Sequence, residues 1–155
     1  MRFICPLITV KNMEASRQFY VDVLKQKVRY DFGANIEFEG NFAIHLKPHF
    51  AGLIGMREAE LMEKPNNAEL YFEEDNLEAF MQTLKGRDID FLHEVREQPW
   101  GQRVTRFYDP DGHIIEVGES MESVVRRLLK QGLTVEETAK RTSMPLEFVK
   151  GCVEK

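Results

Sequence analysis

The stretch from Trp100 to Gly118 constrains the fold of this chain more than any other part of the sequence. At its centre, Asp109-Pro-Asp-Gly112 combines a proline that presets one turn position with a glycine that accepts positive φ. Residues 103–108 before the turn and 113–117 after it have the composition and alternation of strands. The sequence therefore predicts two strands joined by a tight turn.

Glu116 is the anomaly in the second of these strands. It lies between Ile115 and Val117, and side chains alternate along a strand, so its carboxylate faces the side of the sheet opposite to theirs. If the two apolar residues face a helix-covered core, Glu116 faces whatever lies on the other side. This placement indicates a functional role. His113, which follows the glycine of the turn, is expected at the surface.

A strand–helix–three-strand order is predicted twice within the first 118 residues. Sliding the chain along itself aligns Asn12-Met-Glu-Ala15 with Asn76-Leu-Glu-Ala79, and both asparagines are suited to cap a helix. Such an internal repeat indicates two copies of one structural unit. The predicted strands are 3–10, 27–32, 35–39 and 42–47, then 68–73, 90–95, 103–108 and 113–117. The predicted helices are 13–24 and a second one that is capped by Asp75 or Asn76 and ends near Gly86.

We predict an α+β fold with two parts. Residues 1–118 would form one domain from modules at about 1–48 and 67–118, with a connection at 49–66 that holds a helical turn or two. Residues 119–155 would form a three-helix extension, in which Thr134-Val-Glu-Glu137 is a capping box and Pro145 lies in the first turn of the last helix.

Charge and cysteine content exclude several classes of protein. The formal net charge of −5 disfavours a nucleic-acid surface as the main function. The two cysteines, Cys5 and Cys152, are far apart in sequence, which favours a reduced cytoplasmic protein over a disulfide-linked one. No apolar run approaches the roughly 20 residues of a membrane span, and no signal peptide opens the chain. We therefore expect a cytoplasmic protein with no membrane partner.

The chain resembles the glyoxalase/bleomycin-resistance/dioxygenase superfamily, also called the vicinal oxygen chelate fold. The residues that carry the resemblance are Pro99-Trp-Gly101 with Asp109-Pro-Asp-Gly-His-Ile-Ile-Glu116, and the segment Val10 to Tyr20 with Val23-Leu24. The resemblance covers about residues 1–118. It implies that paired βαβββ modules form a curled mixed sheet with a cleft, and that a divalent metal binds on the floor of this cleft.

The resemblance also implies ligand positions on the first and last strand of each module. Glu116 and His45 hold the last-strand positions, Glu69 holds the first-strand position of the second module, and Cys5 holds that of the first. Lactoylglutathione lyases of the family have the order His or Gln, Glu, His, Glu, whereas this chain has Cys, His, Glu, Glu. His45, Glu69 and Glu116 would suit Zn, Ni, Mn, Fe or Co, and Cys5 is either a fourth ligand or a small apolar residue.

The chemistry of this set has two interpretations. A bound metal could polarise a carbonyl while Glu69 or Glu116 moves a proton, as in a lyase or isomerase acting on a small oxygenated substrate. Without a metal or an arginine, the convergence of a histidine and two carboxylates would be repulsive. Residues that could line the substrate cleft are Tyr71, Trp100, Arg103 and Arg106, although turn packing for the tryptophan and surface ion pairs for the arginines are the alternatives.

The extension has its own alternative interpretation, because residues 132–149 resemble a helix-turn-helix. Its second helix carries Glu147 and Glu154 against Lys150 and lacks the side chains that read base edges, so DNA binding is disfavoured. Packing against the sheet or against a second subunit is expected instead, and a homodimer is predicted. Three functions remain open: a metal-dependent lyase or isomerase of the glyoxalase type, a metal-free binding module of the bleomycin-resistance type, and a ligand sensor that uses the extension.

Overall fold

The computed structural model of the 155-residue chain describes Met1 to Val153 and has an α+β fold with two four-stranded mixed sheets. Its contacts divide the chain into two compact units. The first unit comprises residues 1–68 and 108–114, and the second comprises residues 69–107 and those from 115 onward. The predicted α+β class is confirmed, and the two units are described in turn.

The sheet of the first unit has the strand order β1-β4-β3-β2. β1 pairs with β4 in parallel, and the other neighbouring strands are antiparallel. β1 begins only after Pro6, which cannot donate a ladder hydrogen bond, so the strand is shorter than the sequence predicts. The four strands are β1 (Leu7–Val10), β2 (Val28–Asp31), β3 (Asn35–Phe38) and β4 (Ala43–Leu46).

Helix α1 (Met13–Gln18) is capped by the Asn12 side chain, which accepts a hydrogen bond of 3.0 Å from the Ala15 amide. A π-helical turn (Phe19–Val23) continues it, where the sequence predicts a single α-helix to Leu24. The second difference is α2 (Lys47–Leu53), which starts directly after β4, at the end of the predicted strand 42–47, and continues into the predicted connection. Pro48 in its first turn explains this start, since proline is favoured there. A short 3₁₀ helix, Glu58–Glu60, follows.

The Asp109–Gly112 turn belongs to the first unit and is organised by a buried carboxylate. Asp109 accepts hydrogen bonds from the Tyr20 hydroxyl at 2.7 Å and from His113 Nδ1 at 2.8 Å. Asp109 Oδ1 also accepts from the amides of Asp111 and His113. His113 is buried, and its ring is held by the bond to Asp109. The expectation that His113 lies at the surface is wrong.

The sheet of the second unit has the strand order β5-β8-β7-β6. Helix α3 (Leu77–Leu84) is capped by Asn76, whose side chain accepts a hydrogen bond from the Ala79 amide as the repeat predicts. β6 and β7 are antiparallel, with two irregularities of register along β6. The four strands are β5 (Glu69–Glu73), β6 (Phe91–Glu97), β7 (Arg103–Tyr108) and β8 (Ile114–Gly118).

Three helices follow β8 in the second unit: α4 (Met121–Lys130), α5 (Val135–Thr142) and α6 (Leu146–Val153). Val125 of α4 forms an apolar cluster with Val149 and Cys152 of α6, and Val135 and Ala139 of α5 pack against it. The three helices lie where the sequence predicts them, and Thr134 forms the predicted capping box. Glu154, named above in the helix-turn-helix interpretation, lies outside the described residues. Among the helices of Met1–Val153, none has the length and apolar character required to cross a bilayer.

Candidate functional site

The alternation of β8 places Glu116 away from the core, as predicted. Ile115 and Val117 are 0% and 2% exposed. On the neighbouring strand β7, Phe107 lies against Phe80 of α3, with ring centroids 6.3 Å apart, so this side of the sheet faces the helix. Glu116 therefore belongs to the opposite side, yet it is only 7% exposed. We call this side the carboxylate face and define it by Glu69, Tyr71, Arg106 and Glu116.

Arg106 joins the two carboxylates of this face. Its Nε donates a hydrogen bond of 2.9 Å to Glu69 Oε2, and its Nη2 forms an ion pair with Glu116 Oε2. Within Met1–Val153, Glu116 Oε2 accepts no hydrogen bond of acceptable geometry, so the ion pair is its compensation. Nη1 of Arg106 lies 3.4 Å from His93 Nε2. The cation that two adjacent carboxylates require is thus supplied by a side chain.

The carboxylate pair does not fit a divalent metal while Arg106 holds this position. The resemblance implies a divalent metal, and a metal at Glu69 and Glu116 would have to displace the guanidinium from both. Displacement would leave a half-buried arginine without its counter-charges, which is unfavourable. Across the described residues, no three or more His, Cys, Asp or Glu side chains are grouped so that they could hold a metal ion.

His45, in the first unit, is engaged through both ring nitrogens. Nδ1 lies 3.2 Å from the Asn35 side-chain amide nitrogen, and Nε2 lies 2.6 Å from His49 Nδ1. These contacts are satisfied when Asn35 donates to Nδ1 and Nε2–H donates to His49. Burial lowers the pKa of His45 below its usual value, and the neighbouring His49 lowers it further. The neutral ring therefore has no lone pair free for a metal in this arrangement.

The register of the first sheet places Thr9 beside His45. The two residues are direct partners in the parallel β1–β4 pair, as Leu7 and Ala43 are. Cys5 precedes β1 and is a partly buried free thiol. The first-strand residue level with His45 is therefore a threonine, four positions after the cysteine that the resemblance implies.

Tyr71 and Trp100, two predicted cleft residues, are joined through Gln102. The Trp100 indole donates to Gln102 Oε1 at 3.0 Å, and Gln102 Nε2 donates to the Tyr71 hydroxyl at 2.8 Å. Tyr71 in turn donates to Glu73 at 2.9 Å. Burial raises the pKa of Tyr71 to about 12, and the bond to Glu73 adds to this while Gln102 opposes it. A Cβ at Gly118 would lie 3.3 Å from the Tyr71 ring, so glycine permits this close packing.

Arg103, the third predicted cleft residue, is not part of the carboxylate face. Its guanidinium pairs with Glu119, which is 2% exposed, and with Glu78 of α3. Arg127 of α4 shares Glu119 through a contact of 2.8 Å. Burial opposes ionisation of Glu119, but hydrogen bonds from Arg103 and Arg127 outweigh burial, so its pKa lies below the usual value. Arg103 therefore stabilises the junction of sheet and extension.

Four residues gain roles that the sequence analysis did not assign: Gln102, Glu119, His49 and, as the partner of both carboxylates, Arg106. Of these four residues, Arg106 could have been identified from the sequence. Two carboxylates were expected to need a cation or an arginine, and Arg106 occurs on the neighbouring predicted strand. Gln102, Glu119 and His49 have no comparable signal, because their partners depend on loop and helix positions.

A family model described as a glyoxalase-like domain matches residues 3–122. The structure of a protein of unknown function from Agrobacterium tumefaciens strain C58 is 41% identical, with a TM-score of 0.69; the match covers 77% of this chain and 94% of the other. No curated protein matches the sequence. The family match ends at residue 122, so it excludes all but the start of the extension.

Two further structures with assigned activities are more distant. A lactoylglutathione lyase from Agrobacterium tumefaciens is 18% identical, with a TM-score of 0.55, over 76% of this chain and 93% of that one. A fosfomycin resistance protein from Listeria monocytogenes is 16% identical, with a TM-score of 0.56, over 77% of this chain and 93% of that one. At such identities the similarity concerns the fold and leaves the reaction open.

Proposed function

Because the chain belongs to the glyoxalase-like domain family, we propose that it binds a small molecule without a resident metal, through the carboxylate face of its second sheet. The observation that carries this proposal is the Arg106 guanidinium, which contacts both Glu69 and Glu116. The arginine neutralises much of the charge that would otherwise recruit a metal.

The aromatic side chains on and beside this face support a binding role. Tyr71 is 46% exposed and Trp100 is 39% exposed, and the Gln102 amide holds both by hydrogen bonds. Aromatic rings that are exposed and already fixed bind flat apolar groups with a small loss of side-chain entropy. The ligand class that this surface favours is therefore a small molecule with a flat ring and a hydrogen-bonding group.

A second candidate function is a metal-dependent lyase or isomerase acting on a small oxygenated substrate, with Glu69 and Glu116 as metal ligands. The observation in its favour is that Glu116 Oε2 is buried and accepts no hydrogen bond among the described residues. Such an oxygen could coordinate a metal once its ion pair with Arg106 is broken. This function would require Arg106 to leave the carboxylates, and Glu69 or Glu116 would then serve as the proton-transfer group.

Metal analysis of the purified protein distinguishes the two functions. The chain is incubated with Zn, Ni, Mn, Fe or Co, dialysed, and assayed for bound metal beside Glu116→Gln and the exposed control Glu94→Gln. Our proposal expects less than stoichiometric metal in all three proteins. Stoichiometric metal that is lost only in Glu116→Gln would overturn the proposal and support the second candidate.

A binding measurement tests the ligand class. Trp100 is the only tryptophan of the chain, so its indole N–H gives a single, assignable NMR signal. We expect benzyl alcohol to shift this signal saturably and at lower concentration than cyclohexylmethanol, which carries the same hydroxyl on a puckered ring. Tyr71→Leu should abolish the difference, whereas Tyr30→Leu, at an exposed tyrosine of the first unit, should preserve it. Equal shifts by the two alcohols would contradict the proposed ligand class.

A further inference from the structure

We propose that the C-terminal helices position the aromatic part of the binding surface, with Arg127 as the positioning residue. Helix α4 would thereby set ligand affinity without touching the ligand. This inference rests on the proposed function for its ligand, but its structural step can be measured without one.

Helix α4 packs directly on the turn that carries Trp100. Within this turn the Gln98 amide donates to the Gln102 carbonyl at 2.7 Å, and the Gly101 amide donates to the Gln98 carbonyl at 2.8 Å. Gly101 has a φ of +87°, and a Cβ there would lie 3.3 Å from Leu128 Cδ1 of α4. The turn therefore has the shape that allows the helix to approach its backbone.

Arg127 connects the turn to the buried Glu119 carboxylate. Its Nη2 donates to the Gly101 carbonyl and, at 2.8 Å, to Glu119 Oε2, while its Nε donates to Glu119 Oε1 at 3.1 Å. The Arg127 side chain is 18% exposed. A forked guanidinium can hold a carbonyl and a carboxylate at once, which a lysine ammonium on a flexible stem does less well.

Gln102 transmits this arrangement to both aromatic residues. Its Nε2 donates to the Glu119 carbonyl at 2.7 Å and to the Tyr71 hydroxyl at 2.8 Å. Its Oε1 accepts from the Trp100 indole. Gln102 is 5% exposed, so its amide has little freedom to rearrange. A displacement of the turn at Gly101 would therefore move both aromatic side chains.

The family match ends at residue 122, near the start of α4, so Arg127 lies outside the part of the chain that the family model matches. The contacts of Arg127 add an external constraint to a turn that already has its own hydrogen bonds. Preorganised side chains bind more tightly because less entropy is lost on binding. The expected result of losing Arg127 is therefore weaker binding in a protein that remains folded.

The test compares Arg127→Lys, Arg127→Met and the control Arg126→Met in the full-length chain. Arg126 lies on the same helix, and its guanidinium donates a hydrogen bond of 3.2 Å to the Ser123 hydroxyl. Arg127→Lys keeps a positive charge near Glu119, so it remains informative if Arg127→Met is too unstable to study. The measurements are the thermal midpoint, the Trp100 indole NMR signal, its acrylamide quenching, and the benzyl alcohol dissociation constant.

We expect both Arg127 variants that fold to shift the indole signal, increase its quenching and weaken benzyl alcohol binding by about tenfold, with Arg126→Met like the wild type. In a protein that already carries Gln102→Leu, Arg127→Lys should not weaken binding further, because Arg127 acts on the aromatic residues through Gln102. A lower midpoint with an unchanged indole signal would overturn the inference. If the wild type binds no benzyl alcohol, the proposed ligand fails, and the ligand-free indole signal still decides the positioning role.

Discussion

The Tyr20 hydroxyl donates a hydrogen bond of 2.7 Å to Asp109 Oδ2, and both groups are buried. The bond links the helical segment near the start of the chain to the turn that follows β7. Burial raises the pKa of Tyr20 well above its usual value, and the charge and hydrogen bond of Asp109 raise it further. The phenol therefore stays protonated near neutral pH and can donate to Asp109 there.

Tyr20→Phe should destabilise the chain by roughly 1–3 kcal/mol, because it removes a donor from a buried carboxylate. The ring packing against Phe38 and Phe42 is retained, so the loss reports the hydroxyl. Urea denaturation measures the difference in free energy of unfolding. Tyr30→Phe, at an exposed tyrosine, serves as the control and should be neutral. Equal stability of the two variants would show that Asp109 does not depend on the phenol.

Glu119→Gln should lower stability by about 3 kcal/mol near neutral pH, the low end of the range for removing one partner from a buried ion pair. The effect should shrink in acid. The pKa of Glu119 is lowered by folding, so its contribution is present above the unfolded value of about 4.5 and is lost as pH falls through the folded pKa. Denaturation at a series of pH values measures this; a constant difference between the two proteins down to acid would refute it.

Arg106→Met should leave Glu69 and Glu116 without their shared cation. We expect a loss of roughly 1–3 kcal/mol, since the arginine is partly exposed and the full cost of an orphaned buried charge is reduced by solvent. We also expect a rise in thermal midpoint on adding Zn or Ni that the wild type lacks. Arg96→Met, at an exposed position of β6, is the control. The absence of any metal response in Arg106→Met would argue against the carboxylates as a latent metal pair.

His45 should titrate below 6.5 in metal-free protein, since burial and then His49 lower its pKa. The unfolded chain binds this proton first, so stability should decrease as pH falls from 6.5 towards the folded pKa and level off below it. His49→Asn removes the second cause and should move the His45 titration upward. The histidine ring C–H signals in NMR measure both curves, and a His45 midpoint at or above 6.5 in the wild type would be inconsistent with this account.

Local sequence rules predicted much of the architecture. Asn12 and Asn76 cap their helices because a short polar side chain before an apolar stripe has a direct physical use. The side of the sheet that Glu116 faces followed from the period of a strand and the apolar character of its neighbours. The π-helical turn after Gln18 could not be predicted from the sequence, because its change in backbone hydrogen bonding does not alter the pattern of apolar residues.

The partners of the site residues were less accessible to sequence reasoning. Thr9, level with His45, depends on the register between two parallel strands, which a self-alignment of helix caps does not fix. The pairing of Arg106 with Glu69 and Glu116 depends on which strands are neighbours and on the rotamer of a long side chain. The sequence allows an arginine as the cation, but only the geometry shows Arg106 in contact with both carboxylates. The predicted ligand set of Cys5, His45, Glu69 and Glu116 remains a prediction.

The two irregularities of register in β6 have a consequence for the behaviour of the chain in concentrated solution. β6 is an edge of its sheet, and Leu92 and Val95 on it are 40% and 38% exposed. A straight apolar edge would be a template for the strand of another molecule. The irregularities on either side of His93 interrupt the regular spacing of amide and carbonyl groups, and the charges of Glu94 and Arg96 lie beside them. This edge is thus a poor starting point for aggregation.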